Sequence, residues 1–225
     1  MKVNFIDNLA VRILNFFPAL KKYNSNKFYC VLKPLIVGIE IIKIPRSNDF
    51  RPHFVCYPLW DNTLKSCFSN PLMLIEIKDK RKDQISLTLD DMSRNFEIIS
   101  NLINNQIPFK FGKDLKLKSL ISVLDKYSKT SFLGASMNSY LQARLAEQRV
   151  IISLLTSNLN FAQKELKNIE NKKWDLEHFS LWDINYNDWI NEVKKVIEDP
   201  KILESQLGEN LRNNKISNLN RFKIF

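Results

Sequence analysis

The spacing of apolar residues predicts that an amphipathic helix opens the chain and that an antiparallel sheet follows it. Apolar side chains recur at near-helical spacing over residues 4–20, where Pro18 would stop the helix. The next segments are rich in Val, Ile, Phe and Tyr and have prolines at or near their boundaries, which is typical of strands. The predicted strands are residues 27–33, 35–44, 52–60 and 71–78.

From residue 86 onward the apolar spacing is mostly helical. Residues 86–103 predict a helix with Ser86 or Thr88 as its N-cap and Met92 on its apolar face. Further helical segments cover residues 115–127, 140–174, 187–198 and the stretch after Asp199 and Pro200. The sequence "TSNLN" at 156–160 favours a break in the long segment, with Asn158 as the new cap.

Together these patterns predict an α+β fold, with an N-terminal helix and antiparallel sheet followed by a mostly helical C-terminal half. We expect an α+β sheet subdomain at 1–112 and a helical subdomain at 113–225. Because no Gly/Ser-rich or Pro-rich stretch separates them, we expect them to pack together without a flexible linker.

The composition of the chain shows a strong positive charge and indicates the cellular compartment in which we expect the protein. Lys and Arg number 34 against 24 Asp and Glu, a formal charge of +10 that attracts acidic partners. Three cysteines without C-x-x-C spacing, and an N-terminus unlike a signal peptide, predict a cytoplasmic protein. The longest apolar run, 31–44, is too short to cross a bilayer and contains Lys33 and Glu40, so no membrane span is expected.

A Glu-x-Lys pair on the last predicted strand raises the alternative of an enzyme. Glu76 and Lys78 in "PLMLIEIKDK" would share one face of a strand, where a carboxylate can bind Mg²⁺ and an ammonium can stabilise charge. With a turn at residues 69–70, a hairpin would place Asp61 roughly opposite Glu76 as the second metal ligand. The segment looks like the PD-(D/E)XK nucleases, but Pro52-His53 stands where that family has Pro-Asp.

Other cofactor chemistry has little support in the sequence. The two histidines have no Cys or His partner at zinc-ligand spacing, and four glycines leave little room for a phosphate-binding loop. Acid-x-Lys triplets occur six times in the chain, so one on a strand is unsurprising. We therefore expect no cofactor, with Mg²⁺ required only under the nuclease alternative.

Aromatic and basic residues are the candidates for binding. Trp60 and a cluster at 174–189 offer large rings, most of which we expect in a core, while exposed rings would anchor a partner. Acidic residues within that cluster would repel phosphates, which favours a protein partner there. Basic loops at 78–82 and 110–118 would steer encounters or contact nucleic acid. The candidate binding residues are Trp60, Lys80, Arg81, Lys82, Trp182 and Tyr186.

The layout as a whole resembles that of small bacterial α+β proteins of the immunity type, which neutralise toxins. An N-terminal helix, strands ending in "HFVCYPLW", a second strand pair and a helical half ending in "DPKILESQLGENLRNNKISNL" carry the resemblance, with "YPLW" and an L-x3-L-x3-L spacing as near-motifs. The resemblance implies occlusion of a toxin and brings no catalytic residues. Many nuclease-blocking immunity proteins are acidic, so this basic chain implies a toxin with an acidic face.

The sequence therefore favours a non-catalytic protein-binding module, such as a toxin-neutralising immunity protein. A Mg²⁺-dependent nuclease using Asp61, Glu76 and Lys78, and a basic nucleic-acid-binding protein, are the alternatives. Oligomeric state and partner identity stay open.

Overall fold

The computed structural model describes residues 2–47, 49–88, 94–130 and 136–225, with the backbone alone over 2–8. The chain divides into two compact units. The sheet unit comprises Met1–Leu59, Thr63–Asp114 and Asn210–Lys223, and the helical unit comprises Trp60–Asn62, Leu115–Glu209 and Ile224–Phe225. Residues 210–223 thus belong to the sheet unit, although their sequence pattern had placed them in the helical half.

An antiparallel sheet in the order β1-β2-β3-β4-β5 forms the centre of the sheet unit. A sixth strand, β6, pairs with β2 in parallel, so that β1 and β6 share the same strand as a partner. The strands are β1 (Lys21–Asn24), β2 (Lys27–Lys33), β3 (Leu35–Lys43), β4 (Phe50–Pro58), β5 (Met73–Glu76) and β6 (Arg221–Lys223). The α+β prediction is confirmed, because an antiparallel sheet precedes a mostly helical half.

The β2–β3 pairing depends on a glycine. Gly38 lies opposite Tyr29, and a Cβ added at Gly38 would come within 1.9 Å of the Phe28 carbonyl oxygen and 2.7 Å of Tyr29 Cδ1. No larger residue fits there without moving the backbone. The Tyr29 ring can therefore lie across β3 and reach Glu40, whose interactions are described below.

Aromatic packing fills one face of the sheet, and helices complete the sheet unit. Phe54 of β4 contacts Phe109 edge-on at 5.4 Å and stacks with Phe111 at 6.1 Å, while Phe17 meets Phe111 edge-on at 5.9 Å. The helices here are α1 (Lys2–Phe16), α2 (Leu64–Cys67), α3 (Phe96–Gln106) and α10 (Asn214–Ser217). The predicted cap Ser86 donates its hydroxyl to Asp49 Oδ2 at 3.0 Å, and Met92 lies outside the described residues.

The helical unit confirms the predicted break at 156–160. Asn158 Oδ1 accepts the Phe161 N–H at 3.1 Å, and Ser157 adopts a left-handed conformation with φ of 59°, which turns the chain between two helices. The helices are α4 (Leu117–Ser128), α5 (Tyr140–Leu155), α6 (Leu159–Glu170), α7 (Leu176–Ser180), α8 (Tyr186–Glu198) and α9 (Lys201–Arg212), the last extending into the sheet unit.

A core of aliphatic and aromatic side chains holds α5, α6, α7 and α8 together. Its buried aromatic members are Tyr140, Trp174, Phe179 and Trp189. The expectation that most of the 174–189 cluster is core is therefore confirmed. In the part of the chain that the structure describes, none of the helices has the length and apolarity that a bilayer span needs.

Candidate functional site

The Glu-x-Lys pair does not have the neighbour that the nuclease hypothesis assigned to it. Glu76 ends β5 and pairs with His53 of β4, while Asp61 lies in the connection that follows β4. The predicted hairpin is wrong because residues 64–67 form α2, so the β4–β5 register begins at Cys56 and Met73. Asp61 therefore does not face Glu76 across the strands.

The surroundings of Lys78 also differ from those of a metal site. Its backbone N–H donates to Gln106 Oε1 at 2.9 Å, and its carbonyl accepts from Gln106 Nε2 at 2.6 Å, while the side chain is exposed. Among the described residues, no three His, Cys, Asp or Glu side chains form a group that could hold a metal ion. The geometry thus gives the nuclease hypothesis no support beyond the sequence pattern.

One row of the sheet carries four polar side chains. Lys27, Glu40, His53 and Glu76 occupy directly paired positions on β2, β3, β4 and β5, so they share one face. His53 Nδ1 lies 3.1 Å from the Arg51 carbonyl, and its Nε2 lies 3.4 Å from Gln84 Nε2. Both Glu40 and His53 are buried, and the apolar residues around them in the sequence did not reveal which face they occupy.

The carboxylate of Glu40 accepts several hydrogen bonds. Its Oε1 accepts hydrogen bonds from Tyr29 Oη, from Tyr57 Oη at 2.8 Å and from Lys27 Nζ at 3.0 Å. Burial, and then the nearby Glu40 charge, raise the pKa of both Tyr29 and Tyr57 well above the ordinary tyrosine value. Both hydroxyls therefore remain protonated donors. These bonds compensate for the burial of the carboxylate, so loss of a donor should destabilise the sheet.

Asp61 has a different set of neighbours within the helical unit. Burial raises its pKa, and the positive charge of Arg144 opposes that shift. Glu147 lies on α5 one turn after Arg144, and its Oε2 accepts the Trp189 indole N–H at 2.9 Å. Burial raises the pKa of Glu147, against the effects of Trp189 and Arg144, while the charge of Asp61 raises it further. Sequence spacing alone gave no reason to connect residue 61 with α5.

The aromatic binding candidates have different environments. Trp60 is only 3% exposed, which corrects its assignment to a surface: it lies two residues after the buried strand β4 and follows the buried Leu59. Tyr186 is half-buried. Its ring meets the Phe179 ring edge-on at 5.7 Å and the Trp189 ring at a tilt at 5.9 Å. Trp182 alone among the three candidates offers about half of its surface to solvent, with 52% exposed.

Trp182 belongs to an apolar surface that we call the Trp182 patch, made up of Met137, Leu176, Leu181 and Trp182. Leu181 is 81% exposed, and Met137 and Leu176 are each more than half exposed. The Asp175 N–H donates to the Asn138 carbonyl at 2.9 Å, which joins the segment of Met137 to the start of α7. Exposed carboxylates at residues 177 and 183 border the patch. Three of these exposed apolar side chains lie within residues 176–182, and such a concentration is typical of an interaction surface.

The patch is held in a fixed conformation by the core beneath it. The centroids of the Trp182 and Tyr140 rings lie 5.9 Å apart, and the backbone N–H of Trp182 donates to the Phe179 carbonyl at 3.0 Å. His178 Nδ1 accepts the Tyr140 backbone N–H at 3.2 Å. Asp183, with φ of 55°, reverses the chain immediately after Trp182. Trp182 and Leu181 therefore extend from hydrogen-bonded backbone, which lowers the entropy lost on binding.

The candidate basic residues lie on a separate, ordered loop of the sheet unit. Lys80, Arg81 and Lys82 are all exposed. Asp79 Oδ1 accepts the backbone N–H of Arg81 at 2.8 Å and of Asp83 at 3.0 Å, and Lys82 has a left-handed φ of 70°. These bonds present three cations outward from a tight turn.

Comparison of the chain with protein-family models, with curated proteins and with solved structures found no match. The functional argument therefore depends on the residues of this chain, of which the Trp182 patch is the surface best suited to a partner.

Proposed function

We propose that this chain is a non-catalytic protein-binding module that acts by covering a surface of its partner. The single observation that carries the proposal is the exposure of Leu181 and Trp182, side by side, on a turn fixed by the core of the helical unit. Large apolar side chains on rigid backbone are the usual anchors of protein interfaces.

The energy available from these two side chains is large enough to matter for binding. Burying the exposed half of Trp182 would contribute about 3 kcal/mol, and burying Leu181 about 2 kcal/mol, at about 25 cal/mol per Å² of apolar surface. Binding also requires ordering and loss of rigid-body freedom, so these values are upper bounds. They are in the range of the few residues that dominate measured interfaces.

The charges around the patch favour a protein over a nucleic acid. Glu177 and Asp183 are exposed beside Leu181 and Trp182, and their carboxylates would repel phosphates. The basic loop Lys80–Lys82 supports faster encounter with a partner that has an acidic face, because long-range charge mainly affects association rate. The immunity-type layout suggests a toxin as that partner. The three buried free thiols support action in a reducing cytoplasm.

Binding to purified products of neighbouring genes tests this proposal. We expect one of them to form a complex, and Trp182→Ala to weaken it by about thirtyfold, which is about 2 kcal/mol. The matched control is Ile202→Ala on α9, since Ile202 is 66% exposed and lies outside the patch. A complex with equal affinity for both variants, or no complex at all, would contradict the proposal.

The two alternatives from the sequence are separated by simple assays. The nuclease hypothesis predicts cleavage of DNA or RNA that requires Mg²⁺ or Mn²⁺ and is lost in Glu76→Ala. The nucleic-acid-binding hypothesis predicts affinity that falls steeply as salt rises and depends on Lys80, Arg81 and Lys82. Salt-insensitive binding would count against it.

A further inference from the structure

A cleft of about 490 Å³ opens in the sheet unit, and its lining residues are different from those of the Trp182 patch. It lies beside the end of α1, α3, the segment 110–112 and β6. Its size falls within the range of pockets that bind small organic molecules. Nothing in the protein-binding proposal uses it.

Aromatic rings form the apolar walls of this cleft. Phe16 and Phe17 come from the end of α1, Phe111 from the segment before Gly112, and Phe222 from β6. Phe17 contacts Phe16 at 4.8 Å and Phe111 at 5.9 Å, in both cases edge-on, and Phe111 in turn stacks on Phe54. The walls are therefore backed by the core, and their rings offer faces and edges to a flat apolar ligand.

Two other contacts keep the cleft in shape. Asn220 Nδ2 donates to the Ala19 carbonyl at 2.9 Å, which ties the segment before β6 to the end of α1. Gly112 has φ of 85°, and a Cβ at this position would lie 2.9 Å from Ala19 Cβ. A side chain at residue 112 would thus crowd the wall that Ala19 forms.

One lysine gives the cleft a chemical preference. Lys110 Nζ donates to the Asn104 carbonyl at 2.8 Å and to Asn104 Oδ1 at 2.9 Å. Both acceptors are neutral, so these bonds orient the ammonium without cancelling its charge. An anion near it would gain a charge-assisted hydrogen bond, and the formal charge of +10 on the chain acts in the same direction.

We infer that this cleft binds a small aromatic carboxylate, with its ring between the phenyl walls and its carboxylate against Lys110. The phenyl walls favour an aromatic body in the ligand, and the ammonium of Lys110, whose described acceptors are neutral, favours an anionic group. A neutral analogue would keep the ring contacts and lose the charged bond. A cationic analogue would be repelled by Lys110.

The test uses the full chain and three ligands of the same shape: naphthylacetate, naphthylethanol and naphthylethylamine. Each ligand is titrated into the protein and its binding is followed through amide chemical shifts in NMR spectra. Affinity should be highest for naphthylacetate, lower for naphthylethanol and lowest for naphthylethylamine. The largest shifts should fall on Gly112 and on the side-chain amide of Asn220. Equal affinity for the three ligands, shifts elsewhere on the surface, or no saturable binding would overturn the inference.

Variants separate the charge from the apolar walls. Lys110→Met keeps the aliphatic stem and should weaken naphthylacetate about tenfold while leaving naphthylethanol unchanged. The control Lys113→Met removes the same charge three residues away, and naphthylacetate affinity should stay within about twofold. Ala19→Leu narrows the cleft and should weaken both ligands together. Naphthylacetate that binds Lys110→Met as well as wild type would refute the inference.

Discussion

Replacing Tyr57 by phenylalanine tests whether the three donors to Glu40 hold the sheet together. The substitution keeps the ring, which is buried, and removes only the hydroxyl that donates to Glu40 Oε1 at 2.8 Å. Glu40 itself is 5% exposed, so water cannot replace the lost donor freely. Tyr29 and Lys27 would remain as donors to the same oxygen.

The expected magnitude follows from the charge of the acceptor. A hydrogen bond to a charged, buried group contributes about 1.5–3 kcal/mol, against about 1 kcal/mol for a neutral pair. Because two donors remain, we expect Tyr57→Phe to lower the free energy of unfolding of the sheet by about 1.5–2 kcal/mol. In a Glu40→Gln background the same substitution should cost only about 1 kcal/mol, and the difference measures the coupling.

Hydrogen exchange is the appropriate measurement, because all four tryptophans belong to the helical unit and their fluorescence reports on that unit. Exchange of the Val37 and Ile39 amides on β3 should accelerate by about tenfold to thirtyfold in Tyr57→Phe. Tyr23→Phe is the matched control: Tyr23 lies 5.2 Å from the Tyr29 ring, but its hydroxyl is not among the three described donors to Glu40. Exchange unchanged in Tyr57→Phe, or equal acceleration with and without the Glu40 charge, would refute the reasoning.

Two further predictions concern the helical unit, where tryptophan fluorescence during urea unfolding is the measurement. Burial holds the folded-state pKa of Glu147 above its unfolded value, so the stability contributed by this carboxyl is present below the unfolded pKa and is lost as pH rises toward the folded pKa. Glu147→Gln can still accept the Trp189 N–H, and its stability relative to wild type should increase with pH above the usual glutamate range. A stability difference between Glu147→Gln and wild type that stays constant with pH would be inconsistent with a raised pKa. Asn158→Ala should lower stability by about 1 kcal/mol, because it removes the acceptor for the Phe161 N–H at the start of α6. Asn160→Ala, within the same helix, should change stability by less than about 0.5 kcal/mol, and equal losses for the two would show that capping is not the cause.

Local patterns predicted most elements of the fold because they are local in origin. Runs rich in Val and Ile indicate strands by their own composition, and Asn158 specifies a helix start through an N–H only three residues away. By contrast, β6 has only three residues, and its pairing partner lies about 190 residues earlier in the chain. A strand that short has no readable period.

The candidate sites were predicted less well than the fold, and for a similar reason. Trp182 could be named from its sequence, but only the packing of Tyr140 and Phe179 distinguishes it from the buried Trp189. Asp61 was assigned to Glu76 by counting residues across a hairpin, and the short helix α2 made that count invalid. Charged groups find their partners through tertiary structure, which residue spacing does not encode.

The division of one β2 edge between β1 and β6 has a consequence for synthesis on the ribosome. The first half of that edge can pair as soon as β2 itself emerges, because β1 precedes it in the chain, whereas Val31–Lys33 must wait for Arg221–Lys223. At ordinary translation rates the delay is about ten to forty seconds, during which unpaired backbone groups remain open to other chains. Newly made molecules should therefore be most prone to strand-mediated association before β6 is available, and chaperones that cover exposed strands would act in that interval.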